Sequence, residues 1–516
     1  MKKTNKVISF ILAAILVVPF LQSCDNASVT PFESITDSSS INVSQVSLDL
    51  DEYIPPADGI EYDLTPLELN KPLNFITRDG DKLFDGDKEF RFISSNTPSI
   101  LNNHPYEQED LVKTIAQMGG QVLRTYTFSV RTKNQNDTVD TYITDKGEYS
   151  ETAFRRLDQL LVYANKYNVR VIIPFIDIYT YNGGIPAFIE LYGIEATKNT
   201  NIDTGVFYSD KEVVKGFMDF VGYVLNRKNS ISGVYYKDDP AILAWESGNE
   251  MQGNSPKYNI WMRKLCEKIK SIDQNHLIMD GYFGVRPQAL MDENIDIVSN
   301  HFYSHINGAP FDEQARTNRE NTKGIKPFMI GEFGFEAVTE FEKMYDAVIS
   351  EGITGSLMWS IRGHDINGGF HHHNENDVYS SYHWPGFEQG KRYEEEEMLR
   401  LTYLKGYEIQ DKKPKIIQVP SAPEIIEPIR DPRIQIKWKG STGAYGYDFQ
   451  RSEAADGPWT TIGVNVSDAF VFAAIMFKDG SEELVPGKVY YYRVRARSAG
   501  GFSEWSVPSH VSIPQG

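Results

Sequence analysis

The segment Ala244–Met251 reads AWESGNEM and sets Glu246 and Glu250 four residues apart. A third acid, Glu332, stands in the short stretch GEFG. Two carboxyl groups that share one reaction divide the work. One keeps a proton to give away and the other stays charged, so their surroundings must push their pKa values apart. Such a pair works at about 5–5.5 Å when one acid attacks directly, and at about 6.5–9.5 Å when a water lies between them. Four residues of strand span about 13 Å, too far for Glu246 and Glu250 to be that pair. Glu250 therefore needs a partner from another segment, and Glu332 is the candidate. Glu246 is left deeper in the fold, where an acid persists only if paired, for instance with a buried arginine.

These acids need a scaffold. A chain of 516 residues exceeds one ordinary domain, and 41% hydrophobic content is ample for a core. From residue 89 to about residue 410, short apolar segments alternate with amphipathic ones. The former are FRFISSN, GQVLRTYTF, VRVIIPFID, AILAWESGNE, HLIMDGY, DIVSNHFYS, PFMIGEFGF and TGSLMWSIR. The latter include FRRLDQLLVYANKYN, KEVVKGFMDFVGYVLNRK and EFEKMYDAVISEG. Helices between nearly continuous apolar strands imply a parallel sheet with both faces covered. Eight such repeats predict an α/β fold, the (β/α)8 TIM barrel. A doubly wound open sheet is the alternative, but no glycine-rich nucleotide turn follows the first strand. In a barrel the chemistry sits at the C-terminal strand ends. That selects Arg124 on strand two, Asn249 and Glu250 on strand four, His301 and Tyr303 on strand six, Glu332 on strand seven and Trp359 on strand eight. Strand periodicity puts Val122, Arg124 and Tyr126 on one face, as it does Phe328, Ile330 and Glu332, and Leu357 and Trp359.

Asn249-Glu250 on strand four, GEFG on strand seven and His301-x-Tyr303 on strand six together resemble the clan of retaining (β/α)8-barrel glycoside hydrolases. Within it the chain is similar to glycoside hydrolase family 5, nearest the β-mannanase branch. LNRKNSISGVYYKDDPAILAWESGNE, LLVYANKYNVRVIIPF and FMIGEFGF carry this likeness across residues 72–407. The resemblance implies retaining hydrolysis of β-1,4-mannan or a related hemicellulose, with Glu250 as general acid/base and Glu332 as nucleophile. It implies that Asn249 binds the sugar 2-hydroxyl and that Arg124 and Tyr303 keep the nucleophile ionised. His301 would orient groups near the cleaved bond, and Trp359 would floor the central subsite. A β-glucanase, an exo-β-mannosidase and an inactive glycan-binding lipoprotein share the same scaffold. The chain departs from the family at Ser247, usually Leu, and at Met251, usually Pro. Its strand-three loop offers Tyr179 and Tyr181 in place of a Trp. The long loop after strand eight, GHDINGGFHHHNENDVYSSYHWPGF, is expected to wall the cleft and bring Trp384 and His364 near the sugar. Its consecutive His371, His372 and His373 suit no single metal geometry, and the mechanism calls for no metal or cofactor.

The net charge of −19 argues against a nucleic-acid partner and suits an uncharged polysaccharide. At the N-terminus Lys2, Lys3 and Lys6 precede an apolar run, Val7–Phe20, too short for an ordinary spanning helix. The run closes with LQSC, which resembles a bacterial lipobox. Residues 1–23 would then be a signal peptide and Cys24 the lipidated first residue of a protein anchored to a membrane of the cell envelope. Cleavage removes three lysines and no acid, moving the net charge from −19 to −22. Cys266 is then the sole cysteine, in the helical pattern WMRKLCEKIK, and is expected to be a small buried residue. Residues 24–70 are rich in Ser, Asp, Thr and Pro and are expected to form a mostly disordered tether. After a barrel over 71–414, the Pro-rich VPSAPEI opens a second unit, 419–516, with the strand patterns IQIKWKG, YGYDFQRS, WTTIG and VYYYRVRARSAGG. This unit resembles a fibronectin type III sandwich with Tyr490 in the tyrosine-corner position. The two units are expected to fold apart, the second a spacer whose exposed Trp459 and Trp505 leave room for carbohydrate binding.

Overall fold

A computed structural model describes residues 59–513, except 134–140, 198, 254, 305–309, 376–377, 380, 388–393, 430–433, 470–476 and 482–483. The signal peptide, Cys24 and most of the tether lie outside the described residues. Eight parallel strands close into a barrel: β1 (Phe92–Asn96), β2 (Val122–Arg124), β3 (Arg170–Pro174), β4 (Ile242–Glu246), β5 (Leu277–Asp280), β6 (Ile297–Phe302), β7 (Phe328–Phe333) and β8 (Gly355–Met358). Closure between β8 and β1, Gly355 opposite Phe92, removes the open-sheet alternative. After each strand comes a helix: α1 (Pro105–Gln117), α2 (Glu151–Tyr167), α3 (Lys211–Asn226), α4 (Ser255–Lys270), α5 (Pro287–Met291), α6 (Phe311–Thr322), α7 (Val338–Ser350) and α8 (Glu395–Glu408).

Local sequence explains the helix ends. Ser150 caps α2 by accepting from the Ala153 N–H, and Asn168, at φ 58°, ends it. Between them Leu157, Leu160, Leu161 and Ala164 turn one buried face to the barrel. Asp210 caps α3 by accepting from the N–H groups of Glu212 and Val213. Cys266 is buried in α4, as expected.

The barrel interior is apolar below and polar above. Phe92, Val122, Ile172, Met279, Ile297, Met329 and Leu357 pack together inside it, and Ile76, Leu83 and Phe90 of the preceding hairpin close its floor. Charged side chains begin one layer higher, with Arg124 and Glu246. At β7 the face assignment differs from the sequence expectation. Met329 faces inward, whereas Phe328 and Ile330 pack outward among the helices. The register slips beside Asn300/His301 and again between Ile330 and Phe333. This irregularity turns Glu332 into the barrel although Ile330 points out of it. Gly331 sits at the slip, where a Cβ would lie 2.6 Å from His301 Nε2. Only glycine lets the imidazole lie that close to the strand.

Two further sheets follow. One holds Glu424–Ile429, Ile434–Lys439 and Phe477–Asp479; the other holds Thr460–Val466, Gly446–Ser452, Val489–Ser498, Gly501–Phe502 and Ser509–Ser512. Trp438, Tyr447, Phe449 and Tyr492 are buried between them. The unit expected to fold apart is docked on the barrel. Tyr106 of α1 donates to the Gly440 carbonyl at 2.8 Å, and Thr442 donates to Asp110 of α1 at 2.7 Å. Trp459 and Trp505 are half-buried, and an arginine lies against each ring. The Arg493 guanidinium lies 4.3 Å from one ring centroid and 4.5 Å from the other. Part of the expected tether is also fixed. Asp63 donates its N–H to the Pro414 carbonyl and pairs with Lys415 at 2.7 Å, and the Asn70 N–H donates to the Lys166 carbonyl.

Candidate active site

Arg124 ends β2 with no exposed surface and organises the mouth. Its Nε and Nη2 donate to the two oxygens of Glu246 at 2.6 and 2.9 Å. Nη1 donates to Glu332 Oε1 at 2.8 Å and to Asn96 Oδ1 at 3.2 Å, and Nη2 also reaches Asn249 Oδ1 at 2.9 Å. A planar fork with donors on three edges can hold several acceptors in one register, which a lysine cannot. Glu246 is thus the paired acid expected from its depth. Burial works against the charge on Arg124, but the two carboxylates outweigh it and raise its pKa above the usual value.

Glu332 is buried and accepts a hydrogen bond from the Tyr303 hydroxyl at 2.7 Å on its second oxygen. Burial raises its pKa above the ordinary carboxylate value, and Glu250 adds to this; His301, Arg124 and Tyr303 pull the other way. The net direction is upward, against the expectation drawn from Arg124 and Tyr303 alone, because desolvation of an enclosed acid is the larger effect.

Glu250 stands where the chain has left β4. Its φ of 49° is in the left-handed region, uncommon for a residue with a side chain. Met251, next along, donates its N–H to the Gly281 carbonyl and locks the turn. Glu250 Oε1 lies 2.8 Å from His301 Nδ1. Burial lowers the pKa of His301, which favours the neutral ring. By exchanging tautomer it can donate to an ionised Glu250 or accept from a protonated one. The Tyr179 hydroxyl is also hydrogen-bonded to Glu250. Ligand atoms of Glu250, His301 and Glu332 all lie within 4.8 Å of one another. An approach of single oxygens this close is nearer to the direct-attack class of carboxyl pair than to the wider one.

The remaining expected residues divide. Asn249 is buried beside Arg124, and Trp359 is half-buried with its ring edge-on to Tyr126 at 6.1 Å. Ser247, a departure from the family, is absorbed locally: its Oγ lies 3.0 Å from the Tyr258 hydroxyl and accepts from the Gly281 N–H. His364 and Trp384 are corrected, because the structure holds both against α1 instead of beside the acids. His364 is buried between Asp110 at 2.9 Å and Asp468 at 3.2 Å. Trp384 is buried too and donates from Nε1 to Gln117 at 2.9 Å. His371 lies between Glu107 at 3.1 Å and Asp365 at 3.5 Å. Glu107, Asp365 and His371 form, among the described residues, the other group with metal-like spacing; in both groups the imidazole already bridges two carboxylates. Sequence reasoning missed Asn96 and Asp177. Both end or follow a barrel strand, so the strand-end rule applied to strands one and three would have found them.

Fold and site together define a (β/α)8 barrel whose mouth is built round a closely spaced carboxylate pair. Comparison finds the same likeness over part of the chain. Residues 74–326 match the family model described as GH family 5 beta-mannosidase-like, a stretch that stops short of Glu332. The chain is 32% identical over 180 residues to mannan endo-1,4-beta-mannosidase 1 of Arabidopsis thaliana, covering 34% of this chain and 41% of that protein. It is 25% identical over 344 residues to mannan endo-1,4-beta-mannosidase 1 of Solanum lycopersicum, covering 55% and 84%. The chain thus spans less than half the length of the first of these relatives. Among solved structures, the endo-1,4-beta-mannanase from Rhizomucor miehei superposes with a TM-score of 0.54 at 18% identity, covering 66% of this chain and 100% of that one. At that identity the match shows the barrel fold. The likeness to glycoside hydrolase family 5 read from the motifs is therefore shown over residues 74–326.

Proposed function

We propose that this chain is a retaining β-glycoside hydrolase that cleaves β-1,4-mannan or a related hemicellulose by double displacement. The observation that carries the reading is the approach of Glu250 and Glu332 carboxyl oxygens to within 4.8 Å, with Arg124 and Tyr303 on Glu332 and His301 between the two acids. The mannan-directed names of the relatives support the substrate class.

In the first step a Glu332 oxygen attacks the anomeric carbon, and the bond to the leaving oxygen breaks as Glu250 gives that oxygen its proton. In the second step Glu250, now charged, takes a proton from water, whose oxygen displaces Glu332 from the anomeric carbon. Arg124 and Tyr303 stabilise Glu332 each time it leaves as a carboxylate. His301 follows the proton on Glu250 by its change of tautomer.

Glu332→Ala is expected to be nearly inactive on oligosaccharides and on activated aryl glycosides alike. Glu250→Ala is expected to keep its first step on an aryl glycoside with a good leaving group and then stall, and azide should restart it with a β-glycosyl azide as product. An α-configured first product of the wild type would refute retention. Equal losses for Glu250→Ala on all substrates, without azide rescue, would refute its role.

The C-terminal sheets are read as a fibronectin type III-like unit. This is supported by Tyr490, whose hydroxyl accepts from the Val485 N–H at 3.1 Å in the manner of a tyrosine corner. Anchoring through a lipid on Cys24 is supported by LQSC after the apolar run. Cys24→Ala is expected to move the protein from the membrane fraction to the soluble one, and mutant protein that still pellets would count against lipidation.

A further inference from the structure

The end of strand three carries a buried acid that the two displacement steps do not use. Asp177 follows β3 and has no exposed surface. Its Oδ2 accepts from the Tyr126 hydroxyl at 2.8 Å, and its Oδ1 accepts from Asn249 Nδ2 at 3.2 Å. The backbone N–H of Tyr179 makes a third bond to the same carboxyl. The main chain repeats the link, since the Ile178 N–H donates to the Asn249 carbonyl. Burial pushes the acid up to about 6, while these hydrogen bonds favour its charged form.

Asn249 is thereby held at both ends of its amide. Arg124, which can only donate, meets Oδ1 at 2.9 Å, and an acceptor meets Nδ2. The two ends of an amide have nearly the same shape, so the neighbours decide which one faces a ligand. The second Nδ2 hydrogen has only a long contact, 3.3 Å, to the Tyr126 hydroxyl and can be surrendered.

We propose that Asp177 is a positioning residue that fixes the Asn249 amide with Nδ2 turned toward the sugar 2-hydroxyl. This rests on the retaining-glycosidase reading above. A carboxylate fits the place because it accepts from Asn249 and from Tyr126 and needs to donate to neither. Hydrogen bonds to the 2-hydroxyl strengthen in the transition state, so a misaligned amide costs rate only on substrates that carry that hydroxyl.

The experiment compares the full chain with Asp177→Ala and Asp177→Asn. Each is assayed on aryl β-mannoside, β-glucoside and β-xyloside and on the 2-deoxy counterpart of whichever is hydrolysed. The wild-type preference judges the functional reading; the ratio between hydroxyl and deoxy substrates judges Asp177. For Asp177→Ala, kcat/KM should fall about thirtyfold on the 2-hydroxy substrate and less than about threefold on the 2-deoxy one. Asp177→Asn can still offer an acceptor to Asn249 and should recover most of the loss. Equal losses on both substrates, or no recovery in Asp177→Asn, would overturn the proposal. Should the wild type hydrolyse none of the three, the functional reading fails and a crystal structure of Asp177→Ala decides. A turned or displaced Asn249 amide would support the positioning role, and an unmoved one would overturn it. Two variants that both fail to fold would also overturn it, since the role would then lie in folding.

Discussion

Glu246→Gln separates the structural acid from the proposed catalytic pair. Glu246 and Arg124 are both fully enclosed, and two hydrogen bonds, at 2.6 and 2.9 Å, join them. Glutamine keeps one acceptor, but its amide presents N–H groups to a second guanidinium N–H. Removing one partner of a buried ion pair costs about 3–5 kcal/mol, chiefly because the survivor stays buried and uncompensated. Arg124 retains Glu332, Asn249 and Asn96, so the lower end, about 3 kcal/mol, is expected. The chemistry should move in the opposite sense. With one negative charge gone, Arg124 serves Glu332 alone, the Glu332 pKa falls, and the acidic limb of kcat/KM shifts to lower pH. Denaturant unfolding at fixed pH measures the first effect and a pH–rate profile the second. A stability loss below about 1 kcal/mol together with abolished turnover would make Glu246 a participant in the reaction. An acidic limb that moved upward would refute the view that Arg124 couples the two acids.

Two further predictions concern the junction. A chain ending near Lys413 loses the partners of Tyr106 and Asp110 and leaves His364 facing Asp110 alone, so it should melt lower and be poorly soluble. Unchanged melting and turnover on soluble oligosaccharides would restore the spacer view. Burial opposes the charge on His364, but Asp110 and Asp468 outweigh it and raise its pKa to about 10. A raised folded-state pKa gives stability that is complete below the unfolded value of about 6.5 and fades as pH rises toward about 10. Unfolding measured across that window should show a decline that His364→Gln removes, and an identical decline in the variant would refute the assignment.

Barrel topology was legible because eight apolar segments and the helical patterns between them repeat the same physical constraint, burial on both faces. Glu250, Glu332, Asn249, His301 and Tyr303 were legible because strand ends are where such a fold can leave polar groups. Three things were not. Inward placement of Glu332 depends on a register slip at Gly331, which strict alternation predicts wrongly, since Ile330 faces out. His364 and Trp384 sit in a loop with no period, and their burial is decided by a distant sheet, through Asp468, and by Gln117. The Pro-rich junction suggested independence because composition reports on the linker, whereas docking depends on side chains far apart in sequence.

Charge balance at the mouth points to the same division of roles as the spacing does. One cation, Arg124, is shared by two buried acids, Glu246 and Glu332, through direct hydrogen bonds. Glu250 meets an imidazole whose pKa burial lowers and a phenol, His301 and Tyr179. Two carboxylates with oxygens within 4.8 Å ionise together only at a high cost, so the pair holds one proton over a range of pH. The proposed roles require that proton on Glu250, although burial and Glu250 together raise Glu332 as well. In that reading Glu332, the acid beside Arg124, is the nucleophile. Once Glu332 is esterified its charge is gone, and Glu250 can release its proton and act as base in the second step. On the proposed mechanism the same arrangement serves the acid role of Glu250 before the first displacement and its base role before the second.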